Sequence, residues 1–243
     1  HPYRDIPVSC DFIQIVTKEE VLTLSAEEIQ KRIEDAFVYD DYKYHKESGY
    51  KMKCKKRAEN IHKILYKCPH CKSEHHMDSK GTMLWCNKCG AKWEMNEYSE
   101  MISQNNENIF THVPDWYLWE KEETKKEVEI GTYKVVEKVR VEHLKTAKKG
   151  FVNVGEVKMI HDNDGYHFIG TLNDGTPFTF DKSPQSTRSM HIEYDYKKKG
   201  DALDIVYNDE TYFVYPLNNV SNLTKYHFAT EEIYLNSTKE KAD

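Results

Sequence analysis

The chain has 243 residues, and 35 Lys and Arg against 41 Asp and Glu give a formal net charge of −6, with a mean hydropathy of −0.83 and a pI near 6.1. That length allows one large domain or two small ones, and 38% hydrophobic residues, with 12% aromatic, can fill a core. No apolar run approaches the ~18–20 residues that span a bilayer, and the acidic balance argues against generic nucleic-acid binding, which draws on surplus Lys and Arg.

The chain opens on His1-Pro2-Tyr3-Arg4-Asp5 with neither an initiator Met nor a secretory apolar segment, and is expected to be a piece of a longer protein. Residues 1–65 read as a helical lead. Ser25-Ala26-Glu27-Glu28 matches a capping box, in which the Ser hydroxyl accepts from an orphan backbone N–H and the Glu reaches back to the cap's own N–H. Ile29, Ile33 and Phe37 recur every four residues, predicting a helix over 26–38 with one apolar stripe. A second helix is predicted near 55–65, where Ala58, Ile61, Ile64 and Leu65 share a face. Between residues 41 and 67 there are nine Lys and Arg and three acids. Such a segment can meet phosphate or anionic lipid headgroups, but it reads more simply as a solvated helix face.

Residues 66–95 carry the one motif with chemistry. Cys68-Pro69-His70-Cys71 and Cys86-Asn87-Lys88-Cys89 are two Cys-x2-Cys pairs separated by fourteen residues. In a long, cysteine-poor chain without a leader this spacing reads as metal rather than disulfide. Zn2+ prefers four tetrahedral soft ligands, and a two-residue gap lets one tight turn present two thiolates to the same ion. Gly90 supplies the positive φ that such turns need. Met83-Leu84-Trp85 and Trp93-Glu94-Met95 are predicted to be the strands of the ribbon hairpin. Four thiolates leave no open coordination position, so Cys68, Cys71, Cys86 and Cys89 predict a structural zinc site. His70, His75 and His76 lie close enough in sequence to replace a cysteine, but read more simply as loop histidines. Cys10 and Cys54 are expected to be reduced, partly buried thiols.

Residues 96–131 are polar and acidic, with Gln104-Asn105-Asn106-Glu107-Asn108 read as a loop or linker. Inside them His112-Val113-Pro114-Asp115-Trp116-Tyr117-Leu118-Trp119 is an aromatic cluster, suited to a membrane interface or to packing one domain on its neighbour. From residue 132 to the end the period changes to two. Tyr133, Val135, Val139 and Val141 fall on one face of a long strand. Strands are predicted at 151–160, 166–172, 176–181, 189–196, 202–207 and 211–215, punctuated by Asn163-Asp164-Gly165, Asn173-Asp174-Gly175 and Gly200-Asp201 turns. A closing helix is predicted from Thr224, as cap, to about Asn236. The histidines of this half, His161, His167 and His191, are read as surface residues. The whole is α+β: a helical lead, a zinc ribbon, then an antiparallel β-rich domain, a small barrel or curled sheet closed by a C-terminal helix, an element order that a pleckstrin-homology-like barrel shares as an analogy of pattern alone.

His1 to Pro7, the Cys68–Gly90 ribbon, His112 to Tyr117 and His191-Ile192-Glu193-Tyr194-Asp195-Tyr196 together resemble the C-terminal region of clostridial proteins of the phospholipid/glycerol acyltransferase family. The resemblance implies a parent enzyme of phospholipid biosynthesis that transfers an acyl group to glycerol phosphate or a lysophospholipid at the cytoplasmic face of the membrane. That family works through a His-x4-Asp motif, in which the His is general base on the acceptor hydroxyl. None of the twelve histidines has Asp five positions on, so no catalytic residue carries over. The expectation is therefore a non-catalytic accessory region, partnered by an upstream acyltransferase domain and offering a surface to that domain or to anionic lipid. The alternative is a stand-alone zinc-ribbon module that binds protein or nucleic acid.

Overall fold

The computed structural model describes residues 10–105, 107–146, 150–218 and 222–239. Capping chemistry starts the helical lead. Ser25 and Glu28 form the predicted box, with Ser25 N donating to Glu28 Oε2 at 2.8 Å and Glu28 N to Ser25 Oγ at 3.2 Å, and open α2 (Ala26–Ala36). An unpredicted second box, Thr17 with Glu20, opens the short α1 (Lys18–Val21), and Arg32 ties the two together through Glu20 at 2.9 Å. Neither helix buries a residue. The stripe residue Phe37 is exposed, as are Leu22 and Val38. After α3 (Asp41–Glu47) the helix expected near 55–65 does not form. Asn60 sits at φ +68°, which breaks a helical run, and leaves one 3₁₀ turn at Ile61–Lys63. Ala58 N donates instead to Gly81 O at 2.9 Å. Ala58, Ile61 and Leu65 are buried against the ribbon, but Ile64 is turned outward.

The ribbon is a four-stranded antiparallel meander: β1 (Met77–Lys80), β2 (Met83–Cys86), β3 (Lys92–Met95) and β4 (Met101–Ser103). β2 and β3 are the predicted hairpin. The segment read as a linker holds β4 and a 17-residue helix, α4 (Val113–Glu129), with Pro114 in its first turn, where a missing N–H costs nothing. Val113 and Trp116 on its first turns complete the ribbon core of Leu65, Leu84, Trp93 and Met101. Trp116 lies edge-on to Trp93 at 5.0 Å. The aromatic cluster thus packs one part of the chain onto its neighbour.

β5 (Lys134–Thr146) and β6 (Gly150–Asp162) form a long hairpin, followed by β7 (Gly165–Ile169), β8 (Phe180–Lys182), β9 (Ile192–Glu193), β10 (Ala202–Tyr207) and β11 (Glu210–Pro216). They pair in the order β8-β7-β6-β5-β11-β10-β9. This is a meander whose last strand returns to its first, giving a curled half-barrel. Bulges between Val141 and Glu142 and between Leu144 and Thr146 bend the long hairpin. Alternate residues, among them Val139, Val141, Met159, Phe168, Leu203, Ile205 and Val214, fill the concave face. The β6–β7 turn falls at Asn163-Asp164. At its exit Gly165 takes φ +104°, and a Cβ there would collide with the backbone carbonyl oxygen of Lys182. The β10–β11 turn, Asn208-Asp209, places two non-glycine residues at positive φ, as a primed hairpin turn requires.

The closing helix, α5 (Leu223–Lys239), extends three residues beyond the predicted end. Its cap is Asn222, whose Oδ1 accepts from Lys225 N at 3.3 Å. Thr224, predicted as the cap, lies inside the helix and donates its hydroxyl to Lys63 O at 2.6 Å. Leu223 and Tyr226 enter the half-barrel core, while Ala229 and Ile233 meet Val128 of α4. α4 therefore belongs to two cores, that of the ribbon and that of the helix pair. No helix among the described residues is long and apolar enough to cross a membrane.

Candidate metal centre

Two turns of the same design bring the cysteines together. Lys72 N donates to Cys68 O, and Gly90 N to Cys86 O, each at 2.9 Å. Both residues that follow the second cysteine of a pair have positive φ, +58° at Lys72 and +75° at Gly90. The glycine announces this in the sequence and the lysine does not. Cys68 N→Ser73 O and Cys86 N→Ala91 O, also 2.9 Å each, close the two turns.

The four sulfur atoms lie within 4.8 Å of one another. Cys68 and Cys89 are 3.6 Å apart, and Cys71 and Cys86 are 3.7 Å apart. A tetrahedron of thiolates about 2.3 Å from a central ion has edges of about 3.8 Å, so this donor set fits a metal ion. Cys68 and Cys86 are buried, while Cys71 is half-buried and Cys89 exposed, which puts one side of the centre at the surface. Burial pushes the Cys68 thiol well above its ordinary range. At Cys71 burial acts in the same direction but is outweighed by the hydroxyl and backbone N–H of Ser73, with the Cys89 and Cys68 thiols, which bring it down to about 6. Ser73 Oγ lies 2.9 Å from Cys71 Sγ and 3.8 Å from Cys86 Sγ. A hydroxyl that donates to sulfur favours the thiolate, the form that binds metal, and the spacing of the cysteines alone did not reveal it.

Among the described residues, His70, His75 and His76 do not join the cluster. His70 lies against Trp93 at 5.5 Å, as part of the ribbon core's edge. Cys54 is partly buried, but Cys10, expected to be so, is exposed, as are Phe12 and Ile13 beside it.

The residue before Cys68 anchors the centre to α4. Lys67 N donates to Glu120 Oε1 at 2.7 Å, and Trp116 Nε1 donates to Lys67 O at 3.0 Å. The Lys67 ammonium reaches Glu74 at 3.5 Å and Glu123 at 3.4 Å. Lys225 of α5 joins this network through Glu74 at 2.8 Å and Glu127 at 2.7 Å. Glu120 is fully buried, and burial raises its carboxyl well above the usual carboxylate range despite the backbone N–H groups of Lys67 and Tyr66. A folded-state value above the unfolded one means that the contribution of Glu120 to stability is complete below the unfolded value and lost as pH rises. E120Q keeps an uncharged acceptor for Lys67 N–H. It is expected to match the wild type at pH 4 and exceed it at pH 8, by about 1 kcal/mol or more, or roughly 2–4 °C in Tm. Equal melting curves at pH 8 would show that the carboxylate is not strained there.

Much of the basic segment is also paired internally: Lys46 with Glu100 at 2.7 Å, Lys63 with Asp201 at 2.6 Å and Arg57 with Glu94 at 3.7 Å. A cavity of about 720 Å3 lies where α3 and the 3₁₀ turn meet the loop after β9, lined by Tyr42, Tyr50, Ile61, Met95 and Tyr194 among others. None of the four cysteines borders it. In the β-rich half, His161 is buried rather than on the surface, with its Nδ1 2.9 Å from the Tyr133 hydroxyl and its ring stacked on Tyr166 at 3.7 Å. His167 is half-buried beside Asp181 at 2.7 Å, and His191 is exposed as expected. No family model matches the chain, and no curated protein or solved structure matches it.

Proposed function

We propose that the chain is a zinc-stabilised scaffolding module, with Cys68, Cys71, Cys86 and Cys89 holding Zn2+ for folding rather than for reaction. The observation that carries this reading is the convergence of four sulfurs within 4.8 Å from two matching turns. The donor set is complete with protein ligands, so the ion has no position to offer a substrate. When bound, the metal cross-links the two turns of a ribbon whose own core is small. Lys67, Glu120 and Trp116 pass that rigidity to α4, and Lys225 passes it to α5. The site therefore braces the helices on which the half-barrel rests.

We place this module beside the catalytic domain of a membrane-associated phospholipid/glycerol acyltransferase. The support for that placement is the resemblance of the four stretches given above. The intact mass of the native gene product in its own cells tests it. A mass well above 28.8 kDa, with upstream sequence containing His-x4-Asp, is expected, and acyl transfer should then fall when residues 1–243 are removed. A native mass matching this chain alone would overturn the acyltransferase reading.

The second reading is a stand-alone zinc-ribbon module for a protein partner. One observation favours it: α1 and α2 bury no residue and leave Leu22, Phe37 and Val38 between 80% and 83% exposed. Internal pairing of the basic segment counts against nucleic acid as the partner. A steep loss of RNA or DNA affinity with rising salt would reverse that judgement.

A further inference from the structure

We propose that His191, Glu193 and Asp204 form a second, open divalent-cation site on the outer edge of the half-barrel sheet. The strands place all three on one side. His191 and Glu193 are two residues apart in an extended segment, so their side chains share a face. β9 pairs with β10 through Ile192 opposite Leu203 and Glu193 opposite Ala202, and Asp204 N donates to His191 O at 3.2 Å, which seats Asp204 beside His191. One ligand atom from each of the three lies within 4.8 Å of the others, and His191 Nε2 is 3.3 Å from Glu193 Oε1.

The electrostatics of the group are incomplete without a cation. Asp204 Oδ1 is buried and accepts no hydrogen bond, an arrangement that carries a desolvation cost. Among the described residues no Lys or Arg pairs with Glu193 or Asp204. Two other half-buried or buried acids do have cations, Glu142 with Lys199 at 2.8 Å and Arg140 at 3.6 Å and Glu74 with Lys67 and Lys225, whereas the buried Glu120 takes the backbone N–H of Lys67 instead. Two carboxylates and one neutral imidazole match the charge of a divalent ion, and an N/O donor set of this kind suits Mn2+ and its neighbours rather than the thiol-seeking ions. Three protein ligands from the edge of the sheet and the strand beside it leave coordination positions for water or an outside ligand, in contrast to the closed sulfur site.

The test uses the full chain as purified, with its cysteine site loaded, and Mn2+ as the probe, read as loss of the free-ion electron paramagnetic resonance signal. Mn2+ favours oxygen and nitrogen ligands, so it does not compete for the thiolates. One Mn2+ per chain is expected for the wild type. His191→Ala and Asp204→Asn should each abolish that binding or weaken it at least about tenfold, with thiolate-bound metal content and Tm unchanged. Among the described residues neither side chain supports another through a hydrogen bond, apart from the His191–Glu193 contact inside the site, so both variants are expected to fold. Absence of Mn2+ binding to the wild type, or full binding by either variant, overturns the proposal.

Discussion

Cys86→Ser is expected to release the metal and unfold the ribbon. The apparent binding free energy of a structural zinc ion is about 10–16 kcal/mol at neutral pH, and it is folding free energy because the unfolded chain has no preformed site. Cys86 is buried at the end of β2 and touches both the Cys71 and the Ser73 side of the centre. Serine cannot replace its thiolate as a soft ligand. The loss should not stay local. Leu65, Trp93 and Trp116 form the core directly behind the cysteines, and Trp116 begins the helix that packs on α5. Metal content should fall to zero, tryptophan fluorescence should shift to a solvent-exposed signature, and Tm should drop. The half-barrel has its own core of Val139, Met159, Phe168 and Val214 and is expected to persist as a second, higher transition. Unchanged metal content and Tm would show that the four thiols are not a metal centre.

Acid is expected to destabilise the β-rich half through one residue, His161. Burial brings its pKa down from the ordinary value to about 3, so the ring is neutral in the folded state. The unfolded chain takes up a proton on this histidine below about pH 6.5. A folded-state value depressed below the unfolded one means that the stability contributed by the neutral ring is present above pH 6.5 and lost as pH falls toward 3. The loss amounts to about 2 kcal/mol by pH 5 and to the order of 5 kcal/mol at full extent. Release of metal by protonated thiols adds a separate acid dependence, and comparison with His161→Gln cancels it. The variant loses the stacking on Tyr166 and is less stable at pH 7, but its denaturation midpoint should move less than the wild type's between pH 7 and pH 5. Parallel midpoints in the two proteins would show that His161 does not control the acid limb.

Local chemistry was sufficient wherever a signal lay within a few residues. The capping box at Ser25 and Glu28, the paired Cys-x2-Cys turns, the period-two run from Tyr133 to Val141 and the Asn163-Asp164-Gly165 turn each act over less than one element. Each appears in the fold at the expected place. Short-range sequence also carries the strand count of the half-barrel, because turn residues separate runs that alternate in and out. The helix expected near 55–65 failed for a physical reason of longer range. Ala58, Ile61 and Leu65 do share a buried face, but the backbone of Ala58 bonds to Gly81, twenty-three residues away, instead of to its own helix.

Only the tertiary structure decided what residues do at a distance. Trp116 and Glu120 sat in a polar stretch that read as a linker. Their burial comes from the ribbon on one side and α5 on the other, which no periodicity within 96–131 records. The basic segment around residues 41–67 has a charge surplus in sequence, yet its partners Glu94, Glu100 and Asp201 come from β3, the loop before β4 and the loop before β10. His161 alternates correctly along β6, and the curl of the sheet with α5 across it, not the alternation, makes its face an interior one. His191, Glu193 and Asp204 are joined by the register of β9 against β10. Spacing in sequence marks metal ligands when one tight turn presents them in pairs, as in the ribbon. It is silent when strand pairing assembles them, because register is set by the packing of the whole sheet.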